Sequence, residues 1–368
     1  METKNNLISF VKENKTRLLK KHFRALKGGV IYKKSHSFNE KKAAPFLAID
    51  SPIHFANFFK IPFKNLSELI NQPNYYSYLI PKKKGGNRQI EAPGSELKFL
   101  QSQLNYFLQH YYLTLKPKNV QGFVIKDVTD ISTFNIIENA RLHIKSKYVL
   151  TIDLKDFFSS ISANRIFQLF SSDLFDYSEN IAKAFTFLCT YKGVLPTGSP
   201  ASPVLSNFVC LELDKALLSF CEENQVTYSR YADDLTFSSQ VPFTENLTFQ
   251  IRSVIEGNRF KINEKKVRIK SSNSKQIVTG LVVNDKVNIN RKTLKMLRAI
   301  LHDCKVNGFE NAIRNHYKIN GNLTDELKSK FKNKLNGHIN FIRQVRSDDS
   351  IYQKFKFEYD VIFKNMKD

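Results

Sequence analysis

Apolar positions near the N-terminus recur at helical spacing. Leu7, Val11, Leu18, Leu19, Phe23 and Leu26 predict a basic amphipathic helix over residues 5–26, stopped by Gly28-Gly29. Residues 33–45 are polar and basic and read as a connector, and helical patterning returns over 51–72. The run from Leu79 to Pro93 reads as strand, basic glycine turn, strand, because Gly85-Gly86 permits positive φ in a tight turn. A helix is expected over 95–113, and Tyr148–Leu154 is strongly β-prone. Residues 202–220 predict the clearest helix, with Ser202 as N-cap, Pro203 in the first turn, and Leu205, Val209, Leu213, Leu217 and Phe220 along one face. Val226–Ser239 reads as a hairpin, and 291–305 and 324–346 as basic helices. No repeat of fixed period is visible.

Charge changes the picture more than length does. The 368 residues carry 57 Lys and Arg against 34 Asp and Glu, a net charge of +23. Such a charge points to a polyanionic partner, either nucleic acid or an acidic membrane surface. Hydrophobic residues make up 42%, enough for a sizeable core and against wholesale disorder. No apolar run approaches the roughly 18 residues that a spanning helix needs. The start, Met1-Glu2-Thr3-Lys4-Asn5-Asn6, lacks the apolar core of a signal peptide. Cys189, Cys210, Cys221 and Cys304 show no metal spacing and read as free thiols, so a cytoplasmic location is expected.

The chemistry concentrates in carboxylates. Tyr231-Ala232-Asp233-Asp234 lies between two alternating apolar runs. Adjacent aspartates repel each other and form strands poorly. Asp is a common turn residue, but two carboxylates on a stiff hairpin are also suited to a divalent cation. A second acid, Asp153, ends the apolar strand Tyr148-Val149-Leu150-Thr151-Ile152. Alone it would more often be a cap. With Asp233 and Asp234 it completes the three carboxylates of a two-metal site.

This set resembles the palm of a reverse transcriptase, and the chain is identified as a member of that family. The resemblance covers roughly residues 75–345 and implies an α+β right-hand fold: fingers, a palm of antiparallel sheet backed by helices, and a helical thumb. It implies an RNA-directed DNA polymerase using two Mg²⁺ ions, with Asp153, Asp233 and Asp234 as catalytic and metal-binding residues. Arg88 matches the fingers arginine that grips the triphosphate, a task suited to a bidentate guanidinium. Lys82, Lys83 and Lys84 stand beside it in the turn. Phe158 matches the bulky gate against a ribose 2′-hydroxyl. Leu195–Pro203 matches the motif beside the nucleotide, with Thr197 where the family usually has Gln, and with Gly198 allowing close backbone approach to the nucleotide. Gly257–Arg268, with Asn263 and Lys266, resembles the next palm motif, which makes Lys266 the candidate partner of the pyrophosphate.

Two further motifs resemble those of retron reverse transcriptases: Asn139-Ala140-Arg141-Leu142-His143, fitting Asn-Ala-x-x-His, and Val278-Thr279-Gly280. The resemblance implies a non-coding RNA partner, part of which is copied into DNA primed from an internal guanosine 2′-hydroxyl. It also implies an RNA–DNA hybrid product, dNTPs as substrates, a separately encoded effector, and a role in anti-phage defence. Asn139, His143, Val278, Thr279 and Gly280 are candidates for RNA contact, His143 in an architectural or RNA-orienting part. Arg291, Lys292, Lys295 and Arg298 share a helix face and are candidates for phosphate contact. Gln121-Gly122-Phe123 matches an element that often begins with His, and the stretch from there to Asn139 reads as an inserted surface segment. The expected division is a helical extension over 1–75, fingers over 76–147 including the Asn-Ala-x-x-His segment, palm over 148–284, and thumb over 285–368. A group II intron-type enzyme and a non-catalytic RNA-binding scaffold remain the alternatives. The first lacks its appended zinc and endonuclease regions here; the second leaves the complete set of aspartates, gate and arginine unexplained.

Overall fold

A computed structural model describes residues 2–22, 36–82, 85–127, 134–346 and 350–364. Packing divides the chain into two compact units. One comprises Met1–Asn135 with Leu150–Ile269, the other Ile136–Val149 with Lys270–Asp368.

The first unit opens with helices Glu2–His22, Phe38–Leu47, Pro52–Phe58 and Phe63–Asn71. Leu7, Val11, Leu18 and Leu19 are buried as the amphipathic pattern requires. Phe23, Leu26 and the Gly28-Gly29 stop lie outside the described residues. The polar stretch expected to be a connector is in fact largely helical. Ser37 accepts from the amide of Glu40 and the Glu40 carboxylate accepts from that of Ser37, a reciprocal cap that starts the helix carrying Ala43, Ala44, Phe46 and Leu47 into the core.

Strands β1 (Tyr75–Pro81) and β2 (Asn87–Pro93) pair antiparallel, with Ile80 opposite Arg88. Gly85 and Gly86 have φ of +89° and +76°, as the expected turn demands. Lys83 and Lys84 lie outside the described residues. The helix Ser95–Leu113 follows with the bounds the sequence predicts. The central sheet has the order β4-β5-β3-β6, from β3 (Tyr148–Asp153), β4 (Thr227–Tyr231), β5 (Asp234–Ser239) and β6 (Arg268–Ser271). Strand β3, inside the sheet, is apolar almost throughout, as a strand covered on both faces must be.

The helix expected over 202–220 is two helices, Ser202–Val209 and Leu211–Glu223, divided at Cys210. Ala201, not Ser202, occupies the N-cap position, and Ser202 begins the helix. The core of this unit is rich in phenylalanine. Phe46 lies 6.0 Å from Phe107 in a stacked pair and 5.4 Å from Phe185 edge-on. All four cysteines are buried and unpaired; burial pushes the Cys210 thiol up to about 12.

The second unit holds the short helix Ile136–Arg141, the two-stranded β7 (Ile277–Val278) and β8 (Leu281–Val282), and helices Arg291–Asn307, Phe309–Tyr317, Asp325–Val345 and Ser350–Lys364. Ile137, Ala140 and Val149 share one core with Val278, Leu281, Leu297 and Ile339. The segment 136–149 therefore packs with the C-terminal residues, not with the hairpin to which the sequence division attached it. The second unit resumes at Lys270. No helix among the described residues is long and apolar enough to cross a membrane.

Candidate active site

The three aspartates come together within the first unit. Asp153 closes β3 at 8% exposure. Strands β4 and β5 pair from Thr227↔Ser238 to Tyr231↔Asp234, so the hairpin loop is only Ala232-Asp233 and Asp234 is already the first strand residue. The Leu154 amide donates to the Asp233 carbonyl at 3.0 Å, tying the two carboxylate-bearing segments together by their backbones.

Electrostatics match the geometry. Burial and then the charges of Asp233 and Asp153 push the Asp234 carboxyl up to about 6. Burial, followed by the charge of Asp153, also raises Asp233, while its own backbone amide, Lys266 and Arg88 pull it back. Arg88, exposed on β2, is therefore near enough to act on this carboxylate. Lys266 donates to both oxygens of Asp153 at 2.8 and 2.7 Å, and Asn263 adds a bond at 3.0 Å. Among the described residues, no group of three or more His, Cys, Asp or Glu is drawn close enough to hold a metal ion as it stands. Asp153 is engaged by Lys266 instead, because neighbouring like charges favour a cation between them and the ammonium supplies one. The donor set itself suits a hard divalent cation: carboxylate oxygens from a rigid strand end and a two-residue turn. Lys266 was expected to face the pyrophosphate; here it neutralises an aspartate.

Phe158 is half-buried against Phe123, with ring centroids 5.8 Å apart, and against Phe157 at 5.4 Å. Thr197 and Gly198, expected beside the nucleotide, lie against strand β2. The Thr197 hydroxyl donates to the Gln89 carbonyl at 3.1 Å and accepts from the Glu91 amide at 3.2 Å. A Cβ on Gly198 would stand 2.6 Å from the Glu91 carbonyl oxygen. Both residues fasten this loop to β2, and that close backbone approach is what requires glycine.

The retron-type motifs fall in the second unit. Asn139 and His143 are both 0% exposed, so neither side chain is open to a direct RNA contact. Burial drives His143 down to about 3, leaving it neutral. Val278 is buried as well, and Thr279-Gly280 forms the β7–β8 turn with φ of +47° and +87°. The Thr279 hydroxyl donates to the Ile136 carbonyl at 2.9 Å, so the two motifs form one packed assembly. Arg291, Lys292, Lys295 and Arg298 are exposed, opposite the buried Leu294, Leu297 and Leu301.

Sequence reasoning passed over Arg230, Asp214 and Asn207, which lie buried beneath the hairpin turn. An arginine and an aspartate among apolar neighbours, in β4 and in the Leu211–Glu223 helix, were the available signal.

Residues 80–306 match the family model described as reverse transcriptase, RNA-dependent DNA polymerase. The retron Ec83 reverse transcriptase of Escherichia coli is 31% identical over 261 residues, covering 67% of this chain and 80% of that relative. The chain belongs to the retron-type reverse transcriptases. The retron Ec86 reverse transcriptase, also from Escherichia coli, is 37% identical over 208 residues, covering 52% of this chain and less than two thirds, 63%, of that relative. A telomerase from Candida albicans, solved with a fragment of telomeric RNA, overlaps 80% of this chain and 64% of its own, with a TM-score of 0.43 and 12% identity. Retron-type reverse transcriptases are RNA-directed DNA polymerases of right-hand α+β fold, and reverse transcriptases generally use divalent metal ions.

Proposed function

We propose that this chain copies part of a partner non-coding RNA into single-stranded DNA, primed from an internal guanosine 2′-hydroxyl so that a branched RNA–DNA molecule results. The observation that carries the polymerase part of this reading is the gathering of Asp153, Asp233 and Asp234 at one strand end and one two-residue turn, tied by the Leu154 amide to the Asp233 carbonyl at 3.0 Å. Such crowding of carboxylates is relieved when cations are held among them. Two Mg²⁺ ions, when bound, would supply Lewis acidity to the attacking hydroxyl and to the leaving pyrophosphate. Asp153, Asp233 and Asp234 would hold them. Arg88 would grip the triphosphate through its planar fork. Phe158, braced by Phe123, would exclude a ribonucleotide by occupying the space of the 2′-hydroxyl. Lys266 would pass from Asp153 to the pyrophosphate. The exposed face with Arg291, Lys292, Lys295 and Arg298 would follow the phosphate backbone of template and hybrid. Asn139, His143 and the Val278-Thr279-Gly280 turn would shape the surface that meets the RNA without touching it through the buried side chains. A cytoplasmic role in anti-phage defence beside a separately encoded effector belongs to the same proposal.

The test is made on nucleic acid that co-purifies with the protein expressed together with its flanking DNA. A short single-stranded DNA whose gel mobility changes on cleavage of the 2′–5′ link, and which disappears with Asp233→Asn, is the expected result. RNA without such DNA, from a preparation active on an added template and primer, would remove the branched-product reading.

A further inference from the structure

Arg230 and Asp214 are both 0% exposed, and two charges taken out of water need a reason to be there. The guanidinium Nε donates to one Asp214 oxygen at 2.8 Å and Nη2 to the other at 2.7 Å. Tyr228 adds a hydroxyl bond to Asp214 at 2.8 Å. With its Nε and Nη2 held in this fork, Arg230 directs Nη1 at the Asn207 side-chain oxygen, 3.0 Å away, and at the Ala232 carbonyl, 3.1 Å away.

Ala232 is the unusual residue of the site. Its φ of +59° lies in the left-handed region, where alanine is disfavoured and no side chain compensates. Its carbonyl belongs to the rigid peptide plane that continues into the Asp233 amide, so fixing that oxygen fixes the start of Asp233. The strap Gln121-Gly122-Phe123 closes over the same turn. A Cβ on Gly122 would lie 2.3 Å from the Ala232 nitrogen, and Asn207 donates to the Gly122 carbonyl at 3.0 Å. Asn207 thus joins the guanidinium to the strap.

We propose that Arg230, oriented by Asp214 and seconded by Asn207, is a positioning residue that holds the strained Ala232–Asp233 peptide in the geometry that sets Asp233 and Asp234 for catalysis. The inference rests on the polymerase reading for its kinetic consequence but not for its structural one. The network touches no substrate. It spends a buried ion pair on one turn.

Arg230→Lys is the discriminating variant. A single ammonium can retain Asp214 but cannot also carry the arm that reaches Ala232. Three quantities are measured on the full chain: amide exchange across residues 231–234 without metal, Mn²⁺ affinity by calorimetry, and primer extension on an RNA template. The expected result is faster exchange at the tip, with Mn²⁺ affinity and kcat each lowered about 10- to 100-fold and the KM for dNTP little changed. Tip exchange and Mn²⁺ affinity equal to wild type would overturn the proposal, even with a slower enzyme, because the loss would then arise elsewhere. If Arg230→Lys fails to fold, the apolar set Arg230→Met, Asp214→Leu and Tyr228→Phe replaces the ion pair and its hydroxyl partner while leaving Asn207 on the strap, a change that buried ion pairs often tolerate, and is read against the same three outcomes. A wild-type protein that makes no DNA would sink the polymerase reading, while tip exchange and Mn²⁺ binding would still decide the role of Arg230.

Discussion

Gly122 and Gly198 each lie too close to neighbouring backbone to carry a side chain. Gly122→Ala places a methyl 2.3 Å from the Ala232 nitrogen, so either the strap or the turn must move. The expected cost is about 1–3 kcal/mol of stability, together with a kcat loss larger than the change in KM, read by thermal unfolding and primer extension. His143 makes a separate prediction. Its ordinary value of 6.5 falls to about 3 on folding, so the unfolded chain binds the extra proton first. Stability is then level above about pH 6.5 and falls as the pH drops from there toward 3, by up to about 1.4 kcal/mol per unit. His143→Leu should flatten that limb of the unfolding curve; an unchanged limb would show that the acid sensitivity arises elsewhere. The sequence marked Asp233 and Asp234 plainly because adjacent acids at a hairpin conflict with local propensity, and Asp153 only as the acid that ends an apolar strand. It could not reveal Thr197 bonded to Gln89 and Glu91, because that contact joins residues more than 100 positions apart and leaves no periodic trace.

At the level of elements, legibility followed period and punctuation. The β1–β2 hairpin and the Ser95–Leu113 helix were readable, since paired glycines and a regular apolar face are local signals. The helix Phe38–Leu47 was hidden by its lysines and its internal Pro45, although Ser37 and Glu40 stood at the spacing of a reciprocal cap. The β7–β8 turn offers a test of how an element is held. Thr279 combines a branched Cβ with φ of +47° and a hydroxyl bond to the Ile136 carbonyl. Thr279→Ser keeps the bond and sheds the branch, so its unfolding temperature should equal or exceed that of wild type. Thr279→Val keeps the strain and loses the bond, and should cost about 1–2 kcal/mol. If both variants behave alike, the hydroxyl bond does not hold the turn.

For the molecule as a whole, a net charge of +23 makes RNA affinity a function of salt. Replacing Arg291, Lys295 and Arg298 with Gln should weaken RNA binding and lower the magnitude of its log–log salt slope by about 0.7–0.9 for each phosphate no longer neutralised. A filter-binding titration across salt concentrations gives the slope directly, and an unaltered slope would mean that this face is merely solvated. Composition pointed to a polyanionic partner but not to the grouping of the chain. The assembly of Ile136–Val149 with Lys270–Asp368 rests on a shared core that no local pattern announces.

That interleaving governs how the polypeptide can be made and recombined. The ribosome releases Ile137, Ala140 and Val149 well before Val278 and Leu281, the residues that bury them, so a nascent chain carries an unmatched apolar segment until its last quarter emerges. A fragment ending at residue 269 keeps every aspartate of the site but strands that segment, and should be captured by chaperones or precipitate. For the same reason, swapping C-terminal regions between relatives cannot be a single cut: a functional chimaera must carry residues 136–149 along with everything after 269.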